Sequence, residues 1–243
     1  MPALYGLIGY PLTHSFSPAY FKKKFEKHNI DAAYEKYEFA DISFFPTLIK
    51  NNPELKGLNV TIPHKTSIIS CLDKLDDAAK EIGAVNCIDI RDGKLKGYNT
   101  DVIGFEESLF PLLKPFHKKA LILGTGGSSQ AVKYVLKKLK IEALSVSRNK
   151  KEDVIIYEEL DNEAMKEHLL IINTTPIGMY PNVDSCPDIP YHFLTKDHLL
   201  YDLIYNPAET KFLRLGKEKG SVVKNGLEML QLQADASWGI WNR

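Results

Sequence analysis

Cysteine is scarce in this chain. Three residues, Cys71, Cys87 and Cys186, occur among 243. No two of them stand in a C-x-x-C pair, so neither a disulfide framework nor a metal site is expected, and the usage fits a reducing cytoplasm. Net charge is missing too: Lys plus Arg and Asp plus Glu each number 31. That balance argues against nucleic acid or a membrane surface as a partner, and any basic patch must be local. No apolar run is long enough to span a bilayer. No basic segment precedes an apolar run at the N-terminus, so no export signal is read and a cytoplasmic location is expected. Internal repeats and low-complexity tracts are also lacking. What remains, 44% apolar and 26% charged, suits a soluble globular chain, either one large domain or two smaller ones with their own cores.

The most informative feature lies mid-chain. The apolar run Ala120-Leu121-Ile122-Leu123 leads into Gly124-Thr125-Gly126-Gly127, and Ala131, Val135, Leu136 and Leu139 then recur at helical spacing. Strand, tight turn and helix in that order form a dinucleotide phosphate site, with a pyrophosphate resting on the positive end of the helix. The third glycine of G-x-G-x-x-G is absent, and Ser129 stands there. Read alone, such a turn is also compatible with an ordinary loop. A second absence is an acid at the end of the following strand, where an NAD site carries one for the ribose 2′-hydroxyl. Glu142 to Ser147 ends instead in Arg148, with Lys150 and Lys151 beyond. A guanidinium there forks onto a 2′-phosphate, which points to NADP over NAD; a solvated basic turn is the plainer alternative.

Helices and strands alternate, so an open α/β sheet is expected. In the first half, strands are read at Leu4 to Gly9, Tyr34 to Phe39 and Leu58 to Thr61, with a hairpin of Ala84 to Ile90 and Lys94 to Tyr98 around Arg91-Asp92-Gly93. Helices are read from Ser17 to His28, with Ser17 as N-cap and Pro18 at the first position, after Asp41, and from Leu75 to Ile82. A helix from about Asp101 to Leu113 joins the halves. The second half continues with strands Leu169 to Ile172, Leu199 to Tyr201 and Val222-Val223, and a helix from Glu209 to Lys219. In the last helix, Leu227, Leu230, Ala234, Trp238 and Trp241 form one apolar face, expected to fold back on the first half.

Three polar clusters leave strand ends in the first half, where open α/β sheets place ligands. Ser15 and Ser17 flank Phe16 at a helix N-terminus, a setting that favours an anion such as a carboxylate. Asn59 and Thr61 share one face of a strand, and Lys65 follows just past Pro63. Asn86 interrupts an apolar strand and needs partners if buried, while Asp101 either caps the linking helix or holds the Lys65 ammonium for proton transfer. In the second half Asn173-Thr174-Thr175 and Asp202 to Pro207 leave strand ends, and Met229 and Gln233 share a face of the final helix.

Together these clusters resemble the shikimate dehydrogenase family nearly end to end. The blocks are Gly9-Tyr10-Pro11 with His14-Ser15-Phe16-Ser17-Pro18, Asn59 through Lys65, Gly83 through Asn86, Gly97 through Asp101, Gly124 through Gly127, Asn173 through Met179, Asp202 through Pro207 and Gly226 through Leu230. The resemblance implies two open-sheet α/β domains separated by a cleft. One is a substrate-binding domain (1–100 plus 226–243) and the other a Rossmann-type NADP-binding domain (101–225). It also implies NADPH-dependent reduction of 3-dehydroshikimate to shikimate, a step toward aromatic amino acids, by a monomer or homodimer. In that reading Lys65 and Asp101 are catalytic. Ser15, Ser17, Asn59, Thr61, Asn86, Tyr205 and Gln233 bind shikimate. Gly124, Thr125, Gly126, Gly127, Ser128, Ser147, Arg148, Asn149, Thr174, Thr175, Gly226 and Met229 line the NADP site. The chain departs from the family at Ser147-Arg148-Asn149, where Asn-Arg-Thr is usual, and at Cys87, often threonine. Two alternatives remain at this stage: a quinate/shikimate dehydrogenase using NAD, and a dinucleotide-binding sensor without turnover.

Overall fold

Among the described residues twelve strands sort into two six-stranded sheets. The computed structural model describes residues 2–13 and 15–243, so His14 lies outside them. The chain divides into two compact units, one holding the chain up to Ile103 together with Gln231–Arg243, the other Gly104–Leu230.

The first unit contains β1 (Ala3–Gly9), α1 (Phe16–His28), β2 (Ala32–Glu38), α2 (Phe45–Asn51), β3 (Leu55–Val60), β4 (Lys74–Leu75), α3 (Asp77–Ile82), β5 (Cys87–Arg91) and β6 (Lys94–Tyr98). The strand order is β2-β1-β3-β5-β6-β4. β1 runs parallel to β2 and β3, and β5 runs antiparallel to both β3 and β6. The Asp92-Gly93 turn closes the β5–β6 hairpin because both residues take positive φ, 50° and 71°, as a primed two-residue turn requires. Asp41 caps a 3₁₀ turn, Ile42–Phe44, just ahead of α2, accepting from Ser43 N–H, and Asp76 caps α3, accepting from Ala79 N–H. Two expectations fail locally. The cap of α1 is Ser15, not Ser17, and Pro18 is the third helical residue. Lys74 and Leu75 pair with Lys96 and Gly97 as a short strand, and the helix starts only after the Asp76 cap.

The second unit contains most of α4 (Asp101–Leu109), then β7 (Lys119–Leu123), α5 (Gly127–Lys138), β8 (Glu142–Ser147), β9 (Val154–Ile156), α6 (Asn162–Glu167), β10 (Leu170–Asn173), β11 (Leu199–Asp202), α7 (Lys211–Glu218), β12 (Val222–Lys224) and the start of α8 (Leu227–Trp241). All pairings are parallel, in the order β12-β11-β10-β7-β8-β9. The chain winds outward from β7 in one direction and from β10 in the other. The order therefore reverses between them, and the carboxyl ends of β7 and β10 flank the switch point. β7, β10 and β11 are almost wholly buried, which explains their unbroken apolar runs. β9 and α6 were not expected: a three-residue strand carries too little periodicity, although Asp161, which accepts from Ala164 N–H, marks the start of α6. The linking helix stops at Leu109 and ends in a 3₁₀ turn, Phe110–Leu112, because Pro111 has no N–H to continue the ladder.

α8 completes the first unit's core with a face turned from the expected one. Gln233, Ala234, Ser237, Ile240 and Trp241 are buried, whereas Leu227 is exposed. Trp241 stacks on Tyr5 with centroids 4.9 Å apart, and its indole N–H donates to the Ile88 carbonyl at 2.9 Å. The same indole lies where a Cβ on Gly57 would be, so β3 carries glycine there. Arg91 closes the helix end by donating to the carbonyls of Ile240 and Arg243. No helix among the described residues is long and apolar enough to cross a membrane. Trp241→Ala should cost about 3–5 kcal/mol of the first unit's stability, as truncation of a buried aromatic does. Trp241→Phe, which keeps most of the packing, should cost far less. Denaturant unfolding followed by Trp238 fluorescence and circular dichroism checks both.

Candidate active site and dinucleotide site

Polar side chains buried at strand ends must find partners inside the protein. In the first unit they find one another. Asn59 lies at the end of β3, Asn86 precedes β5, Thr100 immediately precedes α4 and Asp101 opens it. Lys65 Nζ donates to Asp101 Oδ2 at 2.7 Å, and Asn86 Nδ2 donates to Asp101 Oδ1 at 2.9 Å. Thr100 sets the Asn86 amide by donating to Oδ1 from its backbone N–H at 2.6 Å and from its hydroxyl at 3.2 Å. That arrangement leaves Nδ2 to face the carboxylate. As the first residue of α4, Asp101 also gains from the helix's positive end.

The network continues through Ser237. Its hydroxyl donates to the Gln233 carbonyl at 2.9 Å and accepts from Asn59 Nδ2 at 2.9 Å. Asn59 Oδ1 in turn accepts from the Tyr34 hydroxyl at 2.8 Å. Tyr34 also meets the Ser17 hydroxyl, and burial holds its phenol well above the usual range. Gln233 Oε1 faces Asn86 Nδ2 and Thr100 Oγ1 at 3.5 and 3.4 Å. Lys65, Asp101, Asn59, Asn86, Gln233 and Ser17 thus join one hydrogen-bonded system. Asn59, Asn86 and Gln233 are buried within it, while Lys65, Asp101, Ser15, Ser17 and Thr61 are partly exposed. Ser15 occupies the N-cap of α1 without making a side-chain cap bond, so its hydroxyl is not spent on the helix.

Sequence reasoning did not single out Tyr34 or Ser237. Ser237 was legible as the polar residue one turn beyond Gln233 on a buried face. His64 is buried, and its Nε2 lies 2.6 Å from the Phe39 carbonyl. That bond anchors the segment carrying Lys65. Cys87 is wholly buried beside Ser237, and burial pushes its thiol up to about 12, so it stays a neutral core residue.

In the second unit Gly124 follows β7 with φ +104°, which requires glycine. Gly126 caps α5 and Gly127 opens it. Neither has any atom within 4 Å of where a Cβ would stand. Nothing in the protein forces glycine at these two positions, and the space before the helix's N–H groups is open for a phosphate. Thr125 is partly exposed and Ser128 exposed on the same turn. Ser129, in place of the third glycine, is buried with its hydroxyl donating to the Gly126 carbonyl at 2.6 Å.

Across the switch point, Thr174 donates to the Leu123 carbonyl from both N–H and hydroxyl, and Thr175 does the same to Asn173 Oδ1. Their hydroxyl hydrogens are committed inward, so a ligand meets methyl groups and lone pairs. At the β8 end, Ser147 exchanges hydrogen bonds with the Asn149 backbone, and Arg148 is exposed. Lys150 is drawn away from this cluster by a salt bridge to Glu159, which also accepts from Ile156 N–H. Tyr205, Gly226 and Met229 belong to this unit. Gly226 is held against the Leu203 backbone, where a side chain has no room. No group of three metal-ligating side chains occurs among the described residues.

The substrate-binding-domain model of shikimate dehydrogenase matches residues 7–88. The shikimate dehydrogenase (NADP(+)) of Caldanaerobacter subterraneus subsp. tengcongensis is 37% identical over 260 residues, covering 98% of this chain and 91% of that protein. Among solved structures, shikimate dehydrogenase from Aquifex aeolicus is 35% identical with a TM-score of 0.87, covering 99% of this chain and 92% of that one. Shikimate 5-dehydrogenase from Thermus thermophilus, in complex with NADP(H) and shikimate, is 30% identical with a TM-score of 0.86, covering 99% and 93%. With likeness of that extent over both units, this chain belongs to the shikimate dehydrogenase family.

Proposed function

We propose that this protein catalyses the reversible, NADPH-dependent reduction of 3-dehydroshikimate to shikimate. The observation that carries the reading is the Lys65–Asp101 pair at 2.7 Å, fixed by Asn86 at a strand-end polar network. The family relationship supports the overall activity, and the curated relatives' dependence on NADP(+) supports the cofactor. The first unit takes the substrate and the second the dinucleotide.

NADPH, held by the glycine turn of the second unit, would supply the hydride for the ketone carbon. Negative charge then develops on the carbonyl oxygen, and Lys65 donates a proton to it, acting as general acid. In the reverse direction neutral Lys65 accepts the proton from the hydroxyl. Asp101 holds the ammonium in position, and its own carboxylate is kept in place by Asn86 Nδ2. Ser15 and Ser17, at the N-terminus of α1, bind the substrate carboxylate. Thr61, Asn59, Asn86 and Gln233 bind ring hydroxyls, with Tyr205 on the second unit a further substrate-binding residue. Both Asn59 Nδ2 hydrogens have internal acceptors, the Ser237 hydroxyl and the Asn86 carbonyl, so Asn59 meets the substrate as an acceptor through Oδ1.

For the dinucleotide, Gly124 to Ser128 hold the pyrophosphate on α5. Ser147, Arg148 and Asn149 form the adenosine end, with the guanidinium on the 2′-phosphate. Thr174, Thr175, Gly226 and Met229 complete the nicotinamide side.

Following reduced-nucleotide absorbance with shikimate or quinate, against NADP or NAD, tests the whole reading. The expected result is turnover with shikimate and NADP above every other pair; absence of turnover with all four rejects it. Lys65→Met should lower kcat by about 10²–10⁴-fold with little change in KM for shikimate. Steady-state kinetics at saturating NADP measure both, and near wild-type kcat would remove Lys65 from the proton transfer. Arg148→Ala should raise KM for NADP far more than KM for NAD, as a comparison of the two nucleotides on the same preparation will reveal.

A further inference from the structure

Asp202 is a fully buried carboxylate that none of the steps above uses. It ends β11, next to the end of β10 in the parallel register that pairs Asn173 with Asp202. Three donors converge on it. Asn173 Nδ2 and Ile204 N–H each donate to Oδ1 at 3.0 Å, and the Thr210 hydroxyl donates to Oδ2 at 2.6 Å. No cation offsets its charge among the described residues.

Each bond has a consequence for the loops. The bond to Asn173 fixes that amide, because a flip would set two acceptors face to face. Asn173 Oδ1 is therefore turned to Thr175, whose N–H and hydroxyl both donate to it. The bonds to Ile204 and Thr210 bind the loop after β11 to the same carboxylate. The two loops meet again where Tyr180 N–H donates to the Asn206 carbonyl at 3.3 Å. They meet a third time where Gly178, at φ +98°, backs onto Thr210. The joined body abuts the glycine turn: a Cβ on Gly124 would lie 2.9 Å from Thr174 Oγ1 and from Thr175 Cγ2.

We propose that Asp202 is a positioning residue whose carboxylate sets the turn after β10 against the glycine turn, and thereby sets affinity for the dinucleotide. The role rests on the second unit's being the dinucleotide site. It acts on binding, with the chemical step left to groups elsewhere. Burial pushes Asp202 up to about 6, so the carboxylate is the ionised acceptor of all three bonds at the pH of the test below.

The test is Asp202→Asn, which keeps the shape and turns an acceptor into a donor facing donors. Binding of NADPH is read from nucleotide fluorescence without substrate, so the result does not depend on turnover. At pH 7.5 the variant should bind NADPH about tenfold more weakly, the scale of a lost bond to a charged group. KM for NADP should rise in parallel, with kcat at saturation changed by no more than about twofold. NADH, which shares the pyrophosphate but lacks the 2′-phosphate, should weaken by a similar factor. A folded Asp202→Asn that binds both nucleotides as wild type does overturns the proposal. Thr210→Val removes one donor at nearly constant volume and should weaken NADPH in the same direction. If Asp202→Asn does not fold, unaltered NADPH affinity in Thr210→Val overturns it. Intact nucleotide binding without shikimate turnover would refute the proposed activity alone.

Discussion

A carboxylate gripped from two sides organises the first unit. Asp101 receives the Lys65 ammonium on one oxygen and the Asn86 amide on the other. Neither bond has a defined geometry unless Asn86 is itself oriented, and Thr100 does this with two donors. From there the obligation to satisfy buried polar atoms spreads outward, through Gln233 and Ser237 on α8 to Asn59 and Tyr34. Breaking one link leaves another group unpaired in a low-dielectric interior, where that costs more than the bond itself contributes. This requirement helps to hold separate stretches of chain in register.

The second unit meets the same requirement with the opposite charge balance. Its buried carboxylate, Asp202, has no ammonium partner and depends on three neutral donors. Burial raises its pKa although the three donors pull it down, while the ion-paired acid of the first unit stands at a partly exposed edge. One acid holds a proton donor in place and the other shapes a loop.

Much of this was legible in the sequence because the chemistry is local. The glycine turn announces itself through an apolar run, a cluster of glycines and a helical pattern that follow one another without a break. Lys65 and Asp101 stood out as charged residues just beyond strand ends. What escaped was either too short or too distant in sequence. β9 has three residues. Tyr34 and Ser237 matter because of Asn59, and no spacing rule links positions so far apart. The serine at the α1 cap was misassigned because Ser15 and Ser17 both suit that position by residue type, and only the backbone dihedrals distinguish them. Asp202 ends an apolar strand, an anomaly visible in the sequence, but its partner on β10 is brought to it by the parallel register and the other two by the fold of the loop that follows.

The first unit is assembled from two stretches of chain that flank the second, and Trp241 on α8 is one of its large buried side chains. On the ribosome, the glycine-turn unit has all of its sequence once Leu230 has emerged, whereas Tyr5 and Gly57 must wait for the α8 residues that pack on them. Domains tend to mature as they are synthesised. In this chain the order is inverted: the unit that begins first is completed second, and a nascent protein lacks its complete Lys65 network until α8 has been made.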